Sequence, residues 1–352
     1  MNRDHLTLQV EVPVYPSDLP NDERTRDKAT DWRKVSIPIH HLESLCAFGP
    51  VTVTPPALDL CWEHGVAVHF LSEWGYLQAR LTGVADTSVT LRRAQFRAAD
   101  VPARCAAISR AIIAGKLQNS RNSLLRAARE TDDAAEQTRL ETAADALARQ
   151  IQDLGRWTPE RLAALGALDA LRGAEGMGAQ TYFSVFALLL KQQRDDFSFT
   201  TRSRRPPRDR INCLLSFLYA LVRHDCIAAL TVVGLDPFVG FLHAERPNRP
   251  ALALDLMEEF RPWLADRLAV TLINRQQIGP EHFRKREGGA VEFTDAGRKL
   301  VIQSYQTRKQ EVLQHPLLDQ QLRVGQLPFI QARILARHLR GDVADYVQLV
   351  PK

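Results

Sequence analysis

Gly234-Leu-Asp-Pro-Phe-Val-Gly-Phe-Leu-His243 and, shortly after it, Ala251-Leu-Ala-Leu-Asp-Leu-Met-Glu-Glu-Phe-Arg-Pro262 carry the densest chemical information in this chain. Gly234, Pro237 and Gly240 make the first stretch a turn-forming loop that delivers His243 to a fixed place. The second reads as a helix. At about 100° per residue, Leu256, Phe260, Trp263 and Leu264 fall on one side of it, and Asp255, Glu258 and Glu259 on the other. Like charges this close repel by a few tenths of a kcal/mol per exposed pair, and by more when desolvated, unless a cation neutralises them. A metal ion beside His243 would resolve the conflict. The alternative is a solvated acidic face, with Arg261 and Arg267 nearby and a structural His243.

Outward from this segment the texture is helical. Residues 94–99, 102–130, 133–154, 159–172 and 179–192 are rich in Ala, Leu, Arg and Gln at helical spacing, and 212–224, 251–268, 294–315 and 327–339 resume the pattern. Residues 191–210 interrupt it with a basic, Pro-containing run. Arg202, Arg204, Arg205, Arg208 and Arg210 form its densest part, and guanidinium groups suit phosphate contact. Lys116, Arg121 and Arg126 offer a second basic surface, and Arg284, Lys285 and Arg286 a third.

The first part of the chain differs. Short β-branched runs at 6–12, 35–39, 51–54, 66–71 and 76–81 read as strands, with one short helix at 57–63 stopped by His64-Gly65. Residues 16–33 are polar, hold two prolines and have no apolar period, so an exposed loop is expected there. The fold class is therefore α+β: a small β-rich domain over 1–91, then a larger all-α domain over 92–352.

Composition agrees. A length of 352 residues suits about two domains, and 45% hydrophobic with 25% charged residues is ordinary globular usage. An excess of 46 Lys+Arg over 41 Asp+Glu permits a polyanionic partner without demanding one. Cys46, Cys61, Cys105, Cys213 and Cys226 form no Cys-x-x-Cys pair, which points away from a disulfide framework or a zinc site. Residues 1–11 lack the basic start and apolar core of a secretory leader, and apolar runs such as 185–190 fall short of the ~18 residues of a membrane span. The expected setting is the cytoplasm, away from membranes.

The motif at 234–262 resembles the centre of the universal integrase family of CRISPR adaptation. Arg205-Pro-Pro-Arg-Asp-Arg-Ile-Asn212 with Leu215-Ser-Phe-Leu-Tyr219 is similar to that family's Pro-rich loop and Asn-bearing helix. Ala174-Glu-Gly176 with Tyr182-Phe183 is similar to its first metal-ligand motif. Phe48-Gly-Pro-Val51, Gly65-Val-Ala-Val68, Phe70-Leu-Ser72 with Gly75, and Leu91-Arg-Arg-Ala-Gln95 resemble its β domain and linker. The likeness runs from about residue 35 to 339. The family opens with a compact strand pair, whereas here the first run is followed by the long polar stretch 16–33.

The resemblance implies a metal-dependent DNA endonuclease and integrase that inserts short foreign DNA fragments into a CRISPR repeat array, the spacer-acquisition step of antiviral defence. It implies that Glu175, His243 and Glu258 hold and use the ion, with Asp255 as the neighbouring carboxylate. Periodicity does not separate Glu258 from Glu259; the family motif favours Glu258. A histidine with two carboxylates suits magnesium (Mg2+) or manganese (Mn2+). The implied partners are double-stranded DNA, a second copy of the chain through the β domain, and a small ferredoxin-fold CRISPR-associated protein. The rival readings are a non-catalytic DNA-binding scaffold and a repair nuclease for branched DNA.

Overall fold

A computed structural model describes residues 6–16, 29–42, 44–71, 77–81 and 89–351. Strands β1 (Thr7–Val14) and β2 (Asp31–Pro38) pair antiparallel, with Thr7 opposite Pro38 and Val14 opposite Asp31. Residues 31–33, expected within a loop, continue β2 because Val12, Pro13 and Val14 lie alongside them. The rest of that expected loop, 17–28, lies outside the described residues, as do Ser72, Gly75 and Tyr76.

Strand β3 (Ser44–Phe48), helix α1 (Pro55–Glu63), β4 (Ala67–Leu71) and β5 (Leu77–Leu81) complete the first part. The sheet order is β3-β4-β5, with β3 parallel and β5 antiparallel to β4. Residues 51–54, expected as a strand, are extended but unpaired. They follow Gly49-Pro50, and Thr54 is the N-cap residue of α1, whose first turn carries Pro55. The strand lies instead at β3, where Leu45-Cys-Ala-Phe48 has no β-branched residue to announce it.

The remainder is built on helices: α2 (Val89–Ala99), α3 (Pro102–Arg129), α4 (Ala134–Gly155), α5 (Pro159–Ala163), α6 (Ala167–Ser184) and α7 (Arg210–Val233). Asp133 caps α4 by accepting the Ala135 and Glu136 amide hydrogens at 2.8 and 3.0 Å. The stretch 159–172, expected as one helix, breaks at Gly166, whose φ of 81° is a left-handed conformation that glycine adopts freely. Beyond that break α6 runs unbroken to Ser184, so 179–192 is the end of α6 followed by the 3-10 turn Phe186–Leu189.

Helix α8 (Ala251–Met257) leads through a turn into the π-helical segment Arg261–Asp266 and then α9 (Arg267–Asn274). The single helix expected over 251–268 is thus interrupted, beginning just before Pro262, which has no amide hydrogen to donate. The hairpin β6 (Phe283–Lys285) and β7 (Val291–Phe293), helix α10 (Asp295–Gln310), the hairpin β8 (Val312–Gln314) and β9 (Gln321–Arg323), and α11 (Leu327–Arg340) close the chain. The two hairpins were not evident in the sequence.

The large core is helical. Helix α3 packs on α4, α5 and α6, and α7 packs on α8 and α11. By length and composition α7 could cross a membrane, yet it lies mostly buried among its neighbours as the central core helix. A smaller apolar cluster of Leu8, Ile39, Cys61, Val66 and Val68 sits under the first sheet.

The sheet rests on α7. Arg80 of β5 donates to the Thr231 hydroxyl at 2.8 Å and lies over the Phe238 ring, while the His69 and His224 rings stand 6.0 Å apart. His69 is buried and its ring nitrogens find no hydrogen-bond partner among the described residues. Burial pushes it down to about 4, opposed by Asp225 and reinforced by Arg80. Between pH 4 and 6.5 the folded chain therefore binds fewer protons here than the unfolded chain, so stability falls as pH falls through this window. Replacing His69 with Phe should remove this contribution. Urea unfolding at about pH 7.5 and about pH 4.5 should show the parent losing roughly 2–3 kcal/mol more than the variant; equal losses would refute the assignment.

Candidate functional site

Three buried carboxylates, Asp255, Glu258 and Glu259, lie within five residues, and each finds partners in a different direction. Asp255 faces the loop. Its Oδ2 accepts the amide hydrogens of Phe241 and Leu242 at 2.6 and 3.0 Å, and Oδ1 accepts that of His243 at 2.9 Å. His243 Nδ1 lies 2.7 Å from the same Oδ1. With Nδ1–H donated to the carboxylate, Nε2 carries the lone pair, as in metal-binding histidines supported by a carboxylate.

The loop fits because of its glycines. Gly234, at φ 93°, ends α7, and a Cβ at Gly240 would stand 2.8 Å from Ala251 and from Asp255 Oδ2. Gln95 of α2 fastens the other side: its amide nitrogen donates to the Asp236 and Val239 carbonyls, and its oxygen accepts the Asp236 amide hydrogen, all at 2.8 Å. Arg172, one turn before Glu175 on α6, donates to the Leu242 carbonyl at 2.8 Å. The histidine loop is thereby held to the helix that bears Glu175.

Glu258 faces α3 and α6. Lys116 Nζ lies 2.7 Å from Glu258 Oε2 and also contacts Glu175 Oε1, so one ammonium bridges the two carboxylates. Arg261 Nη2 lies 3.1 Å from Glu258 Oε1, and His243 Nε2 lies 3.9 Å from it. Burial alone would raise the Glu258 carboxyl, but Arg261, Lys116 and His243 outweigh it and bring it down to about 2. Lys116 is therefore part of this centre and not of the basic surface expected from the sequence.

Glu259 faces the chain's end. Tyr346 OH donates to it at 2.5 Å, the Leu349 amide at 2.7 Å and Gln331 Nε2 at 3.0 Å. Burial raises this carboxyl to about 7 against the lowering effect of those three donors. The common carboxylate face expected from periodicity is not formed: Glu258 and Glu259 point to separate partners, and neither is solvated. Asn119, one turn along α3 from Lys116, donates to the Glu259 and Leu349 carbonyls at 2.8 and 2.9 Å.

The structure thus gathers Glu175, His243, Asp255 and Glu258. In this arrangement, among the described residues, no three His, Cys, Asp or Glu side chains are grouped closely enough to hold an ion. Lys116 is the cation between the carboxylates. The donor chemistry nevertheless suits a hard divalent ion: two carboxylates, an imidazole with its lone pair free, and Glu258 Oε2, whose contact with Lys116 is too poorly aligned to be a hydrogen bond. Accommodating an ion requires the ammonium to withdraw.

The arginine run divides. Arg202 is turned inward, where its guanidinium donates to the Asn212 side-chain oxygen at 2.6 Å and to the Ser216 hydroxyl at 3.1 Å, and stacks over Tyr219. Arg210 is half-buried and donates to the Asp196 carbonyl. Arg204, Arg205 and Arg208 are exposed. Tyr219 links this loop to the centre: Arg261 stacks on its ring, and its hydroxyl donates to the buried Asp266 at 2.6 Å.

A family model described as CRISPR associated protein Cas1 matches residues 21–307. The chain belongs to that family. A Moorella thermoacetica protein named CRISPR-associated endonuclease Cas1 1 is 45% identical over 314 residues, covering 89% of each chain. Among solved structures, a casposase bound to integration product superposes with a TM-score of 0.78 at 19% identity, over 99% of this chain and 89% of that one. A chain of a Cas6-RT-Cas1–Cas2 complex gives 0.72 at 24% identity, over all of this chain and 35% of that one. These structural likenesses speak to the fold.

Lys116→Met should leave Glu175 and Glu258 without their shared ammonium, and removing one partner of a buried ion pair is costly. Urea unfolding should show a loss of about 2–4 kcal/mol, and adding Glu258→Gln to the variant should recover part of it. A Lys116→Met chain as stable as the parent would contradict the bridge.

Proposed function

We propose that this chain is a metal-dependent DNA endonuclease and integrase that joins the 3′ ends of short DNA fragments to a CRISPR repeat. The observation that supports it best is the convergence on Glu258 of Glu175, through the shared Lys116, and of His243, from three separate segments of the fold. The names of its relatives, which include an endonuclease, point to the same class.

Glu175, His243 and Glu258 would hold a magnesium or manganese ion. Bound there, the ion supplies Lewis-acid stabilisation of the charge that develops on phosphate oxygens. Asp255 fixes the His243 tautomer and ring orientation. Arg261, and Lys116 once displaced from the carboxylates, remain as cations beside the reacting phosphate. The 3′-hydroxyl oxygen of the incoming strand forms the new P–O bond, its proton is lost, and the 3′ oxygen of the cut repeat strand leaves. With water as nucleophile the same step is hydrolysis. Burial raises the thiols of Cys61, Cys105, Cys213 and Cys226, which makes them poor nucleophiles, and Cys46 lies in β3, outside the helical part that bears the centre.

Arg204, Arg205 and Arg208 contact DNA phosphates. The domain over 1–91 serves dimerisation and that over 92–352 catalysis, in the cytoplasm. A small ferredoxin-fold partner completes the assembly; the presence of a Cas2 chain in the solved complex supports a partner protein. The full compensation of Glu258 by Lys116 and Arg261 favours the rival, a non-catalytic scaffold, and experiment separates the two.

Glu175→Ala, His243→Ala and Glu258→Ala should each lower metal-dependent cleavage and strand transfer by more than about 100-fold, because the loss falls on charge stabilisation in the transition state. DNA affinity, measured by filter binding, should stay within about threefold, since it rests on surface cations. Retained activity in all three would leave the scaffold reading standing. Glu259→Ala is no neutral control, because it strips the partner from Tyr346, Gln331 and the Leu349 amide.

The triple change of Arg204, Arg205 and Arg208 to Ala should weaken binding to every DNA sequence alike and flatten the salt dependence by roughly one unit per lost contact. An unchanged salt slope would mark the run as a solvated linker.

A further inference from the structure

Residues 346–350, which follow α11, form neither helix nor strand, yet Tyr346 and Leu349 among them are buried. What holds them is polar. Tyr346 OH donates to Glu259 Oε1 at 2.5 Å and the Leu349 amide to Oε2 at 2.7 Å. Gln331 Nε2 reaches Glu259 Oε2 at 3.0 Å and the Val347 carbonyl at 3.1 Å. Lifting this coil would leave a carboxylate buried without most of its donors, which is costly. The docked state is therefore strongly favoured.

The coil also touches the neighbours of two groups in the centre. Glu259 follows Glu258, and Gly115 precedes Lys116. A Cβ at Gly115 would stand 2.7 and 2.8 Å from Gln348 Cγ and Cβ, and 3.6 Å from Glu259 Cγ. Glycine inside a helix is less stable than alanine, so what this position gains is close approach of the coil to α3. Asn119, one turn further along α3, ties the parts together: its Nδ2 donates to the Glu259 carbonyl at 2.8 Å and to the Leu349 carbonyl at 2.9 Å. Helix α3 and the turn after α8 are thus joined twice, through the Lys116–Glu258 ion pair and through residues 346–349. A side chain whose backbone is fixed at the next residue has little freedom to re-aim, which is how groups outside a centre orient those inside it.

We propose that residues 346–349 are a positioning strap. Docked on Glu259, Gly115 and Asn119, they fix the separation of α3 from the turn after α8, and so set where Glu258 stands relative to Lys116, Glu175 and His243. The strap acts through these groups and touches no reacting atom. Its effect on activity rests on the reading of Glu258 as a metal ligand, whereas its hold on Lys116 needs no ion.

The test pairs Gly115→Ala with Gln348→Gly in the full chain. Gly115→Ala favours the helix but drives a methyl into Gln348, and Gln348→Gly removes the atoms it meets. In chelator, Lys116 should react with acetic anhydride faster in Gly115→Ala than in the parent, as read by mass spectrometry, and return towards the parent rate in the double variant. Lys309, buried and paired with Asp225 at 2.9 Å, reports general loosening and should keep the parent rate throughout. Manganese alone, followed by the paramagnetic resonance of the free ion, should bind Gly115→Ala about tenfold more weakly, and DNA cleavage should lose about tenfold in kcat. KM for DNA should stay within about twofold, since affinity rests on surface cations, and the double variant should recover most of both losses. Tyr346→Phe removes one donor to Glu259 without adding bulk; it should shift the readouts the same way and keeps the test open if Gly115→Ala does not fold. The proposal is overturned if Lys116 reacts at the parent rate in both variants, if Lys309 quickens alongside Lys116, if manganese affinity is unchanged, or if the double variant is no better than the single. Failure of the nuclease reading looks different: the parent binds no manganese and cleaves nothing, while the Lys116 rates still decide the strap.

Discussion

Burying three carboxylates within five residues, at the end of α8 and in the turn after it, is the constraint around which this protein is arranged. A buried carboxylate without a partner costs several kcal/mol, so Asp255, Glu258 and Glu259 each draw in a different part of the chain. Asp255 gathers the loop that ends in His243, Glu258 gathers Lys116 of α3 and Arg261 of the π-helical segment, and Glu259 gathers Gln331 of α11 with Tyr346 and Leu349. The long helices are thereby tied at one place by charge as well as by apolar packing. The π-helical turns beginning at Arg261 fit this picture, since such turns recur where a helix re-aims side chains for function.

The same pairing makes the centre look like a switch between two cations. In the state seen here an ammonium bridges Glu175 and Glu258, and the protein is electrostatically complete without an ion. Opposite charge beside Glu258 holds it ionised far below neutral pH, so its carboxylate needs no deprotonation before meeting a divalent cation. Lys116 would then have a second use, because a displaced ammonium would stay tethered beside the carboxylates it left. The exposed Arg204, Arg205 and Arg208 stand apart from these carboxylates, so under the proposed function binding and chemistry are separable.

The Gly234–His243 loop and the acids after it were legible because glycine, proline and carboxylate leave local signals: turn-forming residues announce the loop, and spacing announces the acids. The partners of those acids were not legible. Gln95 lies 141 positions from Asp236, Tyr346 87 from Glu259, and Lys116 59 from Glu175, and nothing local distinguishes a lysine that reaches inward from one that solubilises a helix. Periodicity placed Glu258 and Glu259 together, whereas their side chains diverge, because a helix buried on all sides has no solvent face for them to share. The breaks at Gly166 and Pro262 carried recognisable residues, but the apolar pattern continued across both and masked them. The hairpins β6–β7 and β8–β9 are too short for alternation to register.

The exchange of cations at Glu258 is the claim on which the rest of the functional reading depends, and a crystal structure grown with manganese examines it directly. Anomalous density is expected within about 2.0–2.3 Å of Glu175, His243 Nε2 and Glu258, with Lys116 Nζ withdrawn from both carboxylates. Manganese bound elsewhere or not at all, with Lys116 still bridging Glu175 and Glu258, would contradict it.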